Sequence, residues 1–178
     1  MTKNELAAVL LAYQRAIRVA APDLHPGIES QSRAWLRASA EDLAAELDGY
    51  LHHASRPSCQ VRVFFKLGRE LKYGGCNAHF AADAGLASAE AIVGLDDFDP
   101  RIAWNAQAAK YRRDDRTVLD SGEAKLGIIE RQTSASGVIW LDTSKVPISD
   151  GDHAIGVFGT YEIIDPRTAS QRSLDRQH

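Results

Sequence analysis

Apolar positions in the first fifty residues of this 178-residue chain fall at helical intervals. Leu6, Val9, Leu10, Tyr13 and Ile17 recur at three- and four-residue steps, which predicts an amphipathic helix with Arg15 and Arg18 off its apolar stripe. Thr2 with Glu5 supplies a capping box for its start, and Pro22 with the His-Pro-Gly at 25–27 stops it. A second helical stretch is expected over about 28–54, with Trp35, Leu36, Leu43, Leu47, Tyr50 and Leu51 as its apolar positions and a cap at 39–42 where it can split. Such a helical hairpin has two apolar faces and too little mass to bury both. It is expected to pack on the rest of the chain, on a second copy or on a partner.

The period changes near residue 56. After Pro57 and Ser58, Val61, Val63 and Phe65 alternate as in a half-buried strand. Gly68 suits a hairpin turn, and 71–75 offers a short second strand. Short helices follow at 78–85, capped by Asn77, and at 88–94, begun at Ser88. Asp99 and Pro100 start a longer helix that runs to Ser121 and ends at Gly122, with Trp104, Ala108, Tyr111, Val118 and Leu119 on its buried side. Its YRRDDR run reads as a solvated face, with Lys110–Asp114 and Arg116–Asp120 as same-face opposite pairs. The last third predicts three strands joined by short links, an antiparallel meander. From Pro166 the chain is polar, with Leu174 its only large aliphatic residue, and is expected to be a flexible tail over 166–178.

Composition narrows the function classes. At 44% hydrophobic and 25% charged the chain is ordinary globular protein. A net charge of -3, a pI near 6.1 and the lack of a basic, aromatic-interleaved stripe weigh against nucleic acid as a direct partner. No apolar run approaches a bilayer span and no signal peptide is evident, so a cytoplasmic protein with no membrane contact is expected. Cys59 and Cys76 are the only cysteines; two reduced thiols are expected, with neither a disulfide scaffold nor a paired C-x-x-C zinc pattern. No Ser-His-Asp order, phosphate loop or motif-bearing carboxylate pair is present, and an enzyme is not expected. Asp96, Asp97 and Asp99, next to Pro100, read as turn and cap chemistry.

Two strands, short helices with one longer one, and three antiparallel strands ending in Gly-Thr-Tyr-Glu make the order of a PAS domain. The blocks VFFK, GCNAHFAADAGLASAEAIVGLDDFD, YRRDDRTVLDSGE, IIERQT, WLDTSKVPISD and IGVFGTYEIID resemble, in that order, the PAS sensor modules found beside bacterial histidine kinases and diguanylate cyclases. The resemblance covers about residues 58–165. It departs at 66–68, where the chain has Lys-Leu-Gly and the family usually has Lys-Asp before the first turn. What it implies is an α+β PAS fold: a five-stranded antiparallel sheet in the order 2-1-5-4-3, helices on one face and a small pocket between. The implied organisation is an N-terminal helical extension (1–56), a PAS domain (57–165) and the tail. The family is a sensor and dimerisation unit whose pocket holds haem, flavin, a small metabolite or nothing. A homodimer and a downstream kinase, cyclase or regulator are the implied partners.

Candidate chemistry is weighed against plainer readings. Cys76 and His79 are spaced C-x-x-H, half a zinc site lacking two ligands; the favoured alternative has Gly74 and Gly75 turning the strand, Cys76 filling space and Asn77 capping the helix. His79 is the one histidine placed for a haem axial ligand. The cysteine motif of flavin photoreceptors is absent, although Trp104, Asn105 and Trp140 could face a redox flavin. For a generic small ligand, the expected contacts are Cys76, His79, Phe80, Leu86, Ile92, Phe98, Trp104 and Tyr111 from the helical side, with Ile129, Trp140, Ser144, Val157 and Tyr161 from the strands. Period two leaves the inward face open: Trp140, Ser144 and Val146 share one side, Ile139, Leu141 and Thr143 the other.

Overall fold

Five strands form one antiparallel sheet: β1 (Arg62–Leu67), β2 (Lys72–Cys76), β3 (Lys125–Ser134), β4 (Gly137–Asp150) and β5 (His153–Ile164). Their spatial order is β2-β1-β5-β4-β3, the order the resemblance implies. The structure is a computed structural model and describes residues 1–22 and 34–177. The expected stop at 25–27 and the part of the second helical stretch at 28–33 lie outside the described residues.

Alternation along the strands gives the sheet two different faces. Val63 and Phe65 of β1, Val146 and Ile148 of β4 and Phe158 of β5 form an apolar outer face. It is covered by α1 (Lys3–Ala20), which lies across β4 and β5, with α2 (Ala40–His53) packed beside α1. Leu10, Ile17 and Leu43 are fully buried there, each contributing about 1.5–3 kcal/mol. The two helical faces that lacked a partner in the sequence thus find one in the chain's own sheet. The expected capping box at Thr2 and the expected cap at 39–42 both form, the latter also as a capping box: the Thr2 hydroxyl accepts from the Glu5 N–H, and the Ser39 hydroxyl from the Asp42 N–H. Leu36, expected on the apolar side, is instead 79% exposed just before the Ser39 cap.

The inner face is cupped by α3 (Ala78–Ala84), two 3-10 turns (Ala89–Ile92 and Asn105–Gln107) and α4 (Ala108–Ser121). The helix predicted from Pro100 begins only at Ala108. Asp99 spends its carboxylate on Arg101, accepting from its N–H, Nε and Nη2, and Ala103 N–H is drawn to the Ala84 carbonyl. The first turn at Lys-Leu-Gly nevertheless closes, with Gly68 at φ +74° and the Leu71 N–H donating to its carbonyl.

Three further expectations are corrected. Gly74 and Gly75 do not end the strand; they lie within β2, Gly75 paired with Phe65 of β1 and Gly74 at a register shift, and a Cβ on either would strike the Phe65 ring. Ser88 precedes a 3-10 turn without capping it through its side chain. The tail is not frayed: Pro166–Asp175 is helix α5, N-capped by Asp165 with Pro166 in its first turn. Arg172 ties α5 to Asp142 of β4 and Glu162 of β5, both at 2.5 Å.

Candidate functional site

Helix α4 projects one stripe toward the sheet, made of Ala108, Tyr111, Asp115, Val118 and Leu119. Four of these are ordinary core residues, and Asp115 is a carboxylate with no exposure. Opposite it, the inner face carries Phe64 and Lys66 from β1, Glu130 and Gln132 from β3, Thr143 and Lys145 from β4 and Tyr161 from β5. Gly159 pairs with Phe64 on one side and Lys145 on the other, and a Cβ there would collide with the Phe64 ring. Its bare backbone is what lets that ring lie on the floor of the cup.

These groups close into an ion network. Lys66 Nζ donates to Asp97 Oδ2 and to Asp115 Oδ2, both at 2.5 Å, and Lys145 Nζ donates to Asp115 Oδ1 at 2.6 Å. Asp97 Oδ1 also accepts from the Tyr73 hydroxyl (2.5 Å) and the Trp104 indole N–H (3.0 Å). Glu130 accepts from Thr143 inside the cup and from Lys110 at its rim. The four central charges, two ammoniums and two carboxylates, are each at least 97% buried and cancel formally.

Electrostatics follow from that closure. Burial disfavours charge on Lys66, yet the adjacent Asp115 and Asp97 outweigh it and raise the ammonium above its ordinary value. Burial likewise pushes Asp115 up, and Lys66 and Lys145 outweigh it to hold the carboxyl below the usual range. Tyr73 is raised by burial and by Asp97, and Tyr161 by burial and by Asp83, to which its hydroxyl donates at 2.8 Å. Both phenols are therefore neutral donors.

Of the sequence candidates, Phe80, Trp104, Tyr111 and Tyr161 come together around this cavity. The others do not. Cys76 and Ile92 sit behind the wall in the apolar cluster around Phe80, and Leu86 packs at that cluster's rim. Burial pushes the Cys76 thiol up to about 12, and it donates to the Ala89 carbonyl. His79 points away, its Nε2 2.9 Å from the Arg56 carbonyl oxygen. Phe98 is 52% exposed, with the Arg112 guanidinium 5.2 Å above its ring. Ile129, Trp140 and Ser144 lie on the outer side of their strands, because Glu130, Leu141, Thr143 and Lys145 take the inner one. Val157 is on the inner side but packs with Leu71, Val118 and Leu119 in a separate cluster.

Sequence reading missed Lys66, Asp97, Asp115, Glu130, Gln132, Thr143 and Lys145. The YRRDDR run is only partly a solvated face: Asp115 is interior, Lys110 crosses to Glu130 and Asp114 to Lys125. A usable signal existed, since Asp115 stands four residues after Tyr111 and three before Val118, on the apolar stripe.

The free space in the cup is about 20 Å³, room for roughly one water and far below the roughly 300–1,000 Å³ of a drug-sized site. Haem and flavin do not fit this interior, and neither His79 nor a cysteine faces it. Among the described residues, no three His, Cys, Asp or Glu side chains converge to hold a metal ion. No described helix is long and apolar enough to cross a membrane.

No family model and no curated protein matches the sequence. Solved structures do. A phage VqmA in complex with DPO is 18% identical, with 75% of this chain and 58% of that one covered and a TM-score of 0.57. The PAS domain of Bordetella pertussis BvgS is 16% identical over 74% of this chain and 96% of that domain, TM-score 0.54. An RNA-binding light-oxygen-voltage receptor is 17% identical over 75% of this chain and 37% of that one, TM-score 0.53. The match to VqmA bound to DPO spans 52% of that protein, so this chain resembles about half of it. With these likenesses and the 2-1-5-4-3 sheet, the chain is a PAS-fold domain preceded by helices that pack on its sheet.

Proposed function

We propose that this chain is a cytoplasmic, non-catalytic PAS sensor whose cup admits a small polar molecule and whose output is contact with another protein. The observation that carries the reading is the buried Lys66–Asp97–Asp115–Lys145 network between sheet and helices. Buried ion networks rarely stabilise a fold more than apolar side chains of the same volume. An interior that keeps four charges has another use for them, and exchanging internal partners for those of a ligand is one. VqmA, similar in fold over about half its length, is bound to DPO, which supports a small-molecule ligand for a chain of this fold.

A thermal-shift screen of the full chain against small polar metabolites tests the reading, with hits repeated on Lys145→Met. A hit that raises the melting temperature of the natural chain and not of the variant supports it. Hits indifferent to the variant, or none at all, count against it.

A second reading, a ligand-free docking adaptor, is favoured by the 20 Å³ of free space. As for partners, the helices expected to pack on the rest of the chain, on a second copy or on a partner bury an apolar face against the chain's own sheet, so a homodimer would use a surface other than that face. The Vibrio cholerae VqmA is a dimer that has a target DNA, and the light-oxygen-voltage receptor is RNA-binding. The acidic balance of this chain therefore describes its own surface and leaves open what it works beside. Light scattering at micromolar concentration, with and without nucleic acid, separates these assemblies.

A further inference from the structure

On the side of the sheet away from the cup, the cover over the outer face is incomplete. Helix α1 crosses β4 and β5 and ends at Ala20, and α5 lies against β3 and β4. Between them stands a cavity of about 330 Å³, within the roughly 300–1,000 Å³ of a small-molecule site. Ser144 and Thr160, cross-strand partners on β4 and β5, belong to its floor. Val19, Ala20, Val61 and Leu126 give it apolar walls, and Val19 and Leu126 are left 64% and 54% exposed there.

The charged side chains lining it, among the described residues, are Arg172, Arg176, Asp142 and Glu162. Arg176 has a seat made for it. β3 shifts register between Lys125 and Ile128, and Gly127, at φ +65°, lies where a Cβ would overlap the Arg176 guanidinium. A guanidinium carries five N–H donors, yet Arg172 donates to Asp142 and Glu162 through Nη1 alone, and Arg176 donates to Asp142 through Nη2 at 3.3 Å. Glu162 accepts at Oε1 and, among the described residues, nowhere else. Ion pairs alone would hold α5 down without a cavity beside them. The two positive and two negative side chains cancel, so a ligand with net charge of either sign finds no surplus to neutralise it. One that carries both signs finds a partner for each: guanidinium forks for a carboxylate, and for an ammonium the Glu162 carboxylate together with the last turn of α1, the negative end of its dipole.

We infer that this outer cavity is a binding site for a zwitterion of the α-amino acid class with an aliphatic side chain. Arg176 and Arg172 hold its carboxylate, Glu162 its ammonium, and Val19, Val61 and Leu126 its side chain. The space is present as the fold stands, and no wall has to move. The site lies on the opposite face of the sheet from Lys66, Asp97, Asp115 and Lys145, so it neither depends on the reading of the cup nor competes with it.

The test uses the full chain and three probes of one shape in ligand-observed NMR titrations: L-leucine, 4-methylpentanoate (no ammonium) and 3-methylbutylamine (no carboxylate). Leucine is expected to bind in the millimolar range or tighter, and each single-charge probe roughly tenfold more weakly, the worth of one charge-assisted hydrogen bond. Arg176→Met should weaken leucine by roughly tenfold or more. Val19→Trp, at an exposed position where the fold makes no demand, should abolish binding by filling the cavity from its solvent side, which keeps the test sound if Arg176→Met loosens α5. Lys145→Met, in the cup, should leave leucine binding unchanged. Failure of leucine to bind the natural chain overturns the inference, as does binding indifferent to both Arg176→Met and Val19→Trp. A 4-methylpentanoate or 3-methylbutylamine affinity equal to that of leucine refutes the zwitterion. Leucine binding lost in Lys145→Met and kept in Val19→Trp would move the ligand to the cup, sinking this site and favouring the sensor reading.

Discussion

The two faces of one sheet are built on opposite principles. Outside, Val63, Phe65, Val146, Ile148 and Phe158 pack with α1 and α2 in one apolar cluster. Inside, the same strands present Lys66, Glu130, Gln132, Thr143 and Lys145 to α4. Adjacent residues make the contrast: Phe65 is core, and Lys66 beside it is an ammonium 1% exposed. The outer face supplies the adhesion of the fold, and the inner face spends stability on polarity. A domain that sealed both sides with apolar side chains would be firmer and would have nothing with which to recognise a polar visitor.

The largest test removes the hub of the inner face. Asp115→Ala leaves Lys66 with Asp97 as its carboxylate partner and takes from buried Lys145 its ion-pair partner in the network, and should cost about 3–5 kcal/mol in urea unfolding. Leu10→Ala on the outer face should cost about 2–5 kcal/mol by leaving a cavity, so magnitude alone does not separate the faces; pH does. The folded Asp115 carboxyl lies below its unfolded value of about 3.9. Its contribution is therefore present above that pH and lost as pH falls through the lower folded value. Lys66 is raised above about 10.4, so its contribution is present below that pH and lost as pH rises through the higher folded value. The Asp115→Ala deficit should shrink in acid, whereas the Leu10→Ala deficit should not. An equal pH response in both variants would erase the contrast.

A smaller test makes the same change on each side. Gly74→Ala drives a methyl into Phe65 of the outer face, and Gly159→Ala drives one into Phe64 of the inner; each should cost about 1–3 kcal/mol by overpacking. Only Gly159→Ala should also weaken ligand hits from the metabolite screen, because Phe64 borders the cup. The smallest effect is expected at α5. Arg172→Ala should lower stability by about 1 kcal/mol or less, since its ion pairs are partly exposed. Amide exchange over 166–177 should nonetheless quicken visibly.

What was legible in the sequence divides along the same line. Strand order, the Thr2 capping box, the caps at Ser39 and Asn77 and the Gly85 and Gly122 ends came through because they rest on local signals and a resemblance in block order. The pocket wall did so only in part. Phe80 and Trp104 are large apolar side chains on the inner side, where such residues are expected to be. Lys66, Asp115 and Lys145 were invisible because charge is ordinarily evidence of solvent, and their mutual neutralisation depends on contacts across 30 to 49 residues of chain. Choosing Trp140 and Ser144 over Leu141 and Thr143 was an even choice by period two. The buried polar residues on β4 decided it, against hydrophobic intuition.

Asn77 reaches further than the helix it caps. Its Oδ1 accepts from Phe80 N–H and from Val63 N–H, and its Nδ2 donates to the carbonyls of Val61 and Ala54. Next to it, Ala78 N–H donates to the Ser55 hydroxyl. One side chain thereby rivets the last turn of the helical extension, the first strand of the sheet and the first helix of the cup. The change of texture near residue 56 is a seam in composition and not in mechanics. A chain trimmed to begin at 57 would strand an amide donor as well as bare the outer face, and any tilt of α3 on the cup side would be felt at once by the helices behind the sheet.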